Sequence, residues 1–171
     1  MPELQRLRPD HAPALLAFER ENRAYFAAAI PDRGDDYFAH FDARHAALLA
    51  AQEAGLDHFH VLVDGDGAVL GRVNLVDVTD GSAELGYRIA ERASGRGLAT
   101  TAVLRACALA ATTYGLTTLR AVTTLDNAGS RAVLDRTGFL PGDGILLDGR
   151  PGMRYARDLT GLRDALSRSA V

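Results

Sequence analysis

Apolar and polar positions change period several times along the chain, and each change marks an element. Residues Glu3 to Leu7 read as a short first strand. Asp10 then caps a helical pattern running from Ala12 to about Ala28, which Pro31-Asp32-Arg33-Gly34 ends. A second helical stretch covers about Asp35 to Ala54, where Phe38, Phe41, His45 and Leu48 or Leu49 recur at helical spacing and Gly55 is the stop. His58 to Val63 has strand character, Asp64-Gly65-Asp66-Gly67 a tight hairpin turn, and Ala68 to Val78 the partner strand, with Gly71 placed for a bulge. After Thr79-Asp80-Gly81, Ser82 to Ile89 forms another strand.

The second half has a different rhythm. Arg92 to Gly97 is a glycine-containing loop, Leu98 to Tyr114 a long Ala-rich helix stopped by Gly115, and Leu119 to Thr124 a strand. Ala128 to Thr137 is a short helix closed by Gly138, and Ile145 to Leu147 with Met153 to Ala156 a terminal hairpin. Antiparallel hairpins followed by a β-α-β-α-β passage imply an α/β fold with a mixed sheet and helices on both faces. No repeat or long linker interrupts the chain, so residues 1–171 read as a single domain.

Composition narrows the function. Apolar residues make up 47% and charged ones 24%, as in globular proteins, and 171 residues can bury one core. No run reaches the roughly 20 apolar residues of a membrane span. The opening MPELQRLRPD has no apolar leader, which predicts a cytoplasmic location and no membrane partner. Cys107 is alone, so neither an internal disulfide nor a cysteine-built metal site is expected, and no metal is predicted. A net charge of -3 speaks against nucleic-acid binding. All 19 basic residues are Arg, which rules out a catalytic lysine.

The segment richest in chemistry is Arg92-Ala93-Ser94-Gly95-Arg96-Gly97-Leu98-Ala99-Thr100, between a strand and a helix. Glycines at 95 and 97 permit backbone conformations closed to other residues. The free N–H groups opening the helix, with its dipole, form a place for phosphate oxygens, and Arg92 and Arg96 can add charge-assisted contacts. The loop is neither a P-loop nor a full G-x-G-x-x-G, since position 100 is Thr. A Gly-x-Gly before a helix also occurs as a plain tight turn.

Arg92-x-x-Gly95-x-Gly97 matches the R/Q-x-x-G-x-G/A signature of GCN5-related N-acetyltransferases (GNAT). Glu84-Leu85-Gly86-Tyr87-Arg88-Ile89, Asn127-Ala128-Gly129-Ser130-Arg131-Ala132 and Leu134-Asp135-Arg136-Thr137-Gly138-Phe139 resemble the E-[IL]-G-Y, N-x-x-S-x-x and L-E-x-x-G-F segments of RimJ/RimL-type ribosomal-protein N-acetyltransferases. Thr101, where relatives often carry Glu, and Asp135 in place of Glu depart from the pattern. The resemblance implies the GNAT fold, a twisted mixed sheet of about seven strands, and acetyl-CoA as co-substrate. It places Tyr87, Arg88 and Ile89 along pantetheine. Arg92, Gly95, Arg96, Gly97, Leu98, Ala99 and Thr100 would hold the pyrophosphate, and Asn127 and Ser130 would lie near the sulfur. It also implies an amine acceptor, either a peptide N-terminus or a small molecule, and by analogy a homodimer. The alternative is an acyl-CoA-binding domain that has lost catalysis.

Acetyl transfer to an amine needs a base for the ammonium, a donor for the developing oxyanion and a proton for the departing thiolate. Glu84 is the candidate base, because Glu84, Gly86 and Arg88 share one strand face; a salt bridge to Arg72 is the structural alternative. Ser130 is the candidate acid, one turn after Asn127, though both residues also suit a helix cap. Asp143 and Asp148 are alternative carboxylates near the terminal hairpin. His58 and His60 share a strand face, but no third metal ligand accompanies them.

Overall fold

A computed structural model describes residues 1–170. One seven-stranded sheet runs in the order β1-β2-β3-β4-β5-β7-β6. In chain order the elements are β1 (Glu3–Arg6), α1 (Ala12–Glu21), α2 (Arg23–Ala27), α3 (Asp35–Ala39), α4 (Phe41–Glu53), β2 (His58–Val63), β3 (Val69–Thr79) and β4 (Ser82–Ile89). They continue as α5 (Leu98–Thr112), β5 (Thr118–Thr124), α6 (Ala128–Arg136), β6 (Leu140–Leu147), β7 (Arg150–Asp158) and α7 (Thr160–Ser169). Every strand pair is antiparallel except β4 with β5. This is the expected mixed sheet with helices on both faces.

Two cores flank it. Val73, Leu75, Leu85 and Leu119 pack against Val103, Ala106, Cys107 and Ala110 of α5. Small side chains on α5 let the helix lie close to the sheet, and burial pushes the Cys107 thiol up, as befits a packing residue. On the opposite face Phe59, Val61 and Leu70 meet Leu15, Phe18, Phe26, Tyr37 and Phe41 of the first four helices.

The two long helices expected from periodicity are each broken. Asn22 leaves the helical region, and its side-chain amide bonds both ways: Nδ2 donates to the Phe18 carbonyl at 2.8 Å, and Oδ1 accepts the Glu91 amide at 2.9 Å. A short polar side chain competing with its own backbone is what separates α1 from α2. His40, at φ −117° and ψ 28°, makes the second break, between α3 and α4. The terminal hairpin is longer than expected, and α7 was not anticipated; Asp158 Oδ1 accepts from the Thr160 amide at 2.9 Å where it starts. The bulge falls at Leu70, since Leu62 faces Gly71 and Val63 faces Val69. Gly71 beside it answers to a close approach: a Cβ there would stand 2.6 Å from Ile89 Cδ1.

What positions the site is the parallel pair. β4 and β5 are in register only at Ser82, Ala83 and Glu84, opposite Thr118, Leu119 and Arg120. From Leu85 to Ile89, β4 has no partner on that edge, so its backbone polar groups there are left for something else to bond.

Candidate active site

The glycine loop opens α5. Gly95 and Gly97 have φ of +74° and +73°, and nothing lies within 4 Å of a Cβ built on either. The loop is therefore held left-handed, with its outer surface clear. Within it the Ala93 and Ser94 amides bond back to Ala90 and Glu91. Among the described residues the amides of Gly95, Arg96, Gly97, Leu98, Ala99 and Thr100 have no acceptor. No acidic side chain occupies the first turn of α5 to compete for them. Arg96 Nη2 donates to the Arg92 carbonyl at 2.7 Å, and Tyr25 of α2 meets Ser94 Oγ at 3.1 Å, so both brace the loop.

Where β4 and β5 part, a cavity of about 520 Å³ passes between them. Leu85, Gly86 and Tyr87 line one side, and Ala121 to Thr124 the other. Asn127 and, from α6, Ser130 and Leu134 border it too, as do Ala27 at the end of α2, Ala29, Ile30 and Pro31 beyond it, and Leu147, Asp148 and Arg150 at the hairpin turn. Asn127 caps α6, its Oδ1 accepting the Ser130 amide at 3.1 Å. The Tyr87 hydroxyl lies 3.1 Å from Ser130 Oγ and 3.4 Å from the Ser130 carbonyl. Burial raises the Tyr87 phenol above its ordinary pKa, partly offset by the Ser130 contact, so it holds its proton at neutral pH. Tyr87, Asn127 and Ser130 are thus brought together.

Glu84 is not with them. It is the last residue of the parallel register, opposite Arg120, and lines a second cavity of about 550 Å³ with Asp143 and Arg154. Asp148 instead borders the first cavity, from a hairpin turn where its φ is +50°. Of Glu84, Asp143 and Asp148, Asp148 alone borders the same cavity as Ser130. Arg150 in that wall is ion-paired with Asp126.

Arg72 does not pair with Glu84 either. Its partner is Glu19, 1% exposed in α1, which binds Arg72 at 2.8 Å, Arg33 at 3.0 Å and Arg88 at 3.4 Å. Burial would raise the Glu19 pKa, but the Arg72 and Arg33 guanidiniums outweigh it and hold the carboxyl below its ordinary value. Burial and the neighbouring Arg33 lower Arg88 to about 10. Arg88 therefore turns into this cluster, with its guanidinium 5.0 Å from the Phe26 ring centre, rather than along the cleft. Ile89 packs with the α1–α4 core. Sequence reading missed Glu19, yet Leu15, Phe18, Glu19 and Asn22 follow apolar-face spacing, and a carboxylate there signals a buried partner. His58 and His60 surround Tyr114: the first stacks on its ring at 3.7 Å, and the second bonds its hydroxyl at 2.6 Å. Burial lowers His60 to about 4.

The sheet order, the opened parallel pair and the glycine loop together are the acyl-CoA N-acyltransferase fold. A protein-family model described as an acetyltransferase (GNAT) domain matches residues 3–140, so the chain belongs to the GNAT family and is an acetyl-CoA-dependent N-acetyltransferase. Among solved structures, a ribosomal-protein-S5-alanine acetyltransferase from Vibrio fischeri superposes with TM-score 0.86 at 18% identity, covering 93% of each chain. RimJ of Mycobacterium smegmatis, in complex with CoA-disulfide, gives 0.80 at 23% identity, covering 96% of this chain and 88% of that one. A spermidine N-acetyltransferase SpeG chimera from Vibrio cholerae and hSSAT gives 0.78 at 17% identity, covering 94% and 96%. No curated protein sequence matches.

Proposed function

We propose that the chain transfers acetyl from acetyl-CoA directly to an amine, either a peptide N-terminal α-amine or a small-molecule amine. The observation that carries this reading is the row of six unbonded amides at Gly95–Thr100, next to an open strand edge that leads to Tyr87 and Ser130. Such a row fits a diphosphate, and the free β4 edge from Leu85 to Ile89 fits the amides of a pantetheine arm. Acetyl-CoA, once bound, supplies the activated thioester. Arg92 and Arg96 screen the phosphate charge from the loop side. A β4 amide near Tyr87 donates to the carbonyl oxygen as charge builds on it.

As the C–S bond breaks, Ser130, hydrogen-bonded to the Tyr87 phenol, passes a proton to the departing sulfur and regains one from the nitrogen that becomes the amide, and Asn127 fixes the turn that holds Ser130 there. Asp148 grips the amine and takes its proton, because it borders this cavity and Glu84 does not. The similarity to a RimL ribosomal L7/L12 alpha-N-protein acetyltransferase supports an N-terminal α-amine as acceptor and a cytoplasmic setting; the spermidine relative keeps a small amine in view. The test is thiol release from acetyl-CoA over a panel of N-terminal peptides, polyamines and amino acids. Acceptor-dependent release is expected. CoA binding without release for any amine would leave a cofactor-binding domain, and no CoA binding at millimolar concentration would end the reading.

A further inference from the structure

Helix α2 is five residues long, Arg23–Ala27, too short to hold its own shape in water. It nevertheless carries one wall of the cavity at the strand opening, formed by its last residue, Ala27, and by Ala29, Ile30 and Pro31 beyond it. The Ala29 and Ile30 amides both donate to the Phe26 carbonyl, at 3.1 and 3.0 Å, which continues the last turn of α2 into the wall. The far end of the wall returns to the helix, where Arg23 Nε and Nη2 donate to Asp32 at 3.0 and 2.8 Å. The wall therefore goes where α2 goes.

What fixes α2 comes from the cofactor side. Phe26 stands 5.5 Å from the Phe18 ring and is buried in the same core as Ala90 and Ala93, but apolar packing sets no direction. Direction comes from two hydrogen-bonded ties to Ala90–Ser94, the segment that runs from β4 into the glycine loop. At the start of α2, Asn22 is 6% exposed; its Oδ1 accepts the Glu91 amide while its Nδ2 holds the Phe18 carbonyl of α1. Three residues on, the Tyr25 hydroxyl lies 3.1 Å from Ser94 Oγ. Ser94 gives its one hydroxyl proton to the Ala90 carbonyl at 3.2 Å, so Tyr25 is the donor in that pair. The two ties grip opposite ends of the 3₁₀ turn Glu91–Ala93, just before Gly95.

We propose that Asn22, with Tyr25 as the second tie, is a positioning residue for acetyl transfer: it carries the ordering of the glycine loop to the acceptor wall at Ala27 to Pro31. Acetyl-CoA on Gly95–Thr100 stiffens the turn at Glu91–Ala93, the turn stiffens α2, and the amine meets a wall already ordered. Such coupling is reciprocal, so a bound amine tightens the cofactor by the same factor. The inference rests on Gly95–Thr100 being the acetyl-CoA site, as proposed above.

Amide hydrogen exchange followed by NMR, with and without saturating acetyl-CoA, tests this and needs no acceptor. In the unaltered chain, acetyl-CoA should slow exchange at Gly95–Thr100 and also, by about tenfold, at Ala29 and Ile30. Asn22→Leu keeps the volume and removes both side-chain bonds. It should still bind acetyl-CoA and keep the slowing in the loop, but lose it at Ala29 and Ile30. Slowing there that survives in folded Asn22→Leu would mean direct contact of the cofactor with the wall and would overturn the proposal. So would an unaltered chain that binds acetyl-CoA with Ala29 and Ile30 unmoved. Tyr25→Phe removes one exposed bond and should reduce the response about threefold. Should Asn22→Leu not fold, an undiminished response in Tyr25→Phe overturns the proposal in its place. In thiol release with an amine that the panel shows to be an acceptor, Asn22→Leu should raise the acceptor KM at saturating acetyl-CoA about tenfold, and change the acetyl-CoA Kd measured without amine by less than about threefold. Equal weakening of both would reduce Asn22 to a support of the loop and count against the proposal. An unaltered chain that binds no acetyl-CoA would remove the function proposed above together with this inference, a result distinct from binding without a response in the wall.

Discussion

The two faces of the sheet solve opposite problems. On the side of α5 and α6 the site is made of backbone: a left-handed glycine loop, a helix start and a strand edge, all with free polar groups. On the side of α1 to α4 it is made of side chains: one buried carboxylate gathering three guanidiniums. Backbone donors do not depend on side-chain identity, so the first face can hold the same cofactor under wide sequence change. Side-chain clusters depend on each member, so the second face is the one that a single substitution can unbalance.

This contrast can be broken most severely at Glu19. Glu19→Gln leaves three guanidiniums without their shared anion and should cost about 3–5 kcal/mol in chemical denaturation. Acetyl-CoA affinity should fall less than stability does, because none of the six loop amides bonds to Glu19 or its guanidiniums; a parallel loss of both would show that the loop depends on the cluster. The same residue sets a pH dependence. Its folded pKa is depressed below 4.5, so the stability it supplies is present above that value and is lost as pH falls through the lower, folded one. Melting temperatures measured downward from roughly pH 5 should therefore drop more steeply for the unaltered chain than for Glu19→Gln.

Within the backbone-built face, chemistry still needs side chains. Asp148→Asn and Ser130→Ala should each slow thiol release by about 100-fold at saturating acetyl-CoA, with binding retained. Glu84→Gln should change it by less than about threefold, since Glu84 lies on the other cavity. The reverse ranking would return the base to Glu84. The smallest effect is expected at Asn127→Ala, which removes the α6 cap and should cost about 1 kcal/mol of stability with a modest fall in rate.

How much could be read from the chain follows the same division. The order of strands and helices and the glycine loop were legible because they rest on period, turn residues and local motif; that Asn127 and Ser130 act together came with the family resemblance, and the contact of Ser130 with Tyr87, 43 residues away, was not foreseen. The breaks at Asn22 and His40 were not, because each depends on a side chain competing with its own helix, and Asn22 also bonds to Glu91 far along the chain. Arg88 was expected along the cofactor, yet its guanidinium turns to Glu19; strand alternation gives a face but not what that face meets. Asp148 and Glu84 exchanged prominence for a similar reason. The end of the β4–β5 register decides which carboxylate borders the opening, and register between distant strands is not written in local pattern.

The most direct measurement is a backbone amide NMR titration with acetyl-CoA. Saturable shifts centred on the N–H signals of Gly95 through Thr100, with slowed exchange as they gain phosphate acceptors, are the predicted result. Saturable binding that leaves those six signals unmoved would contradict the account at its base.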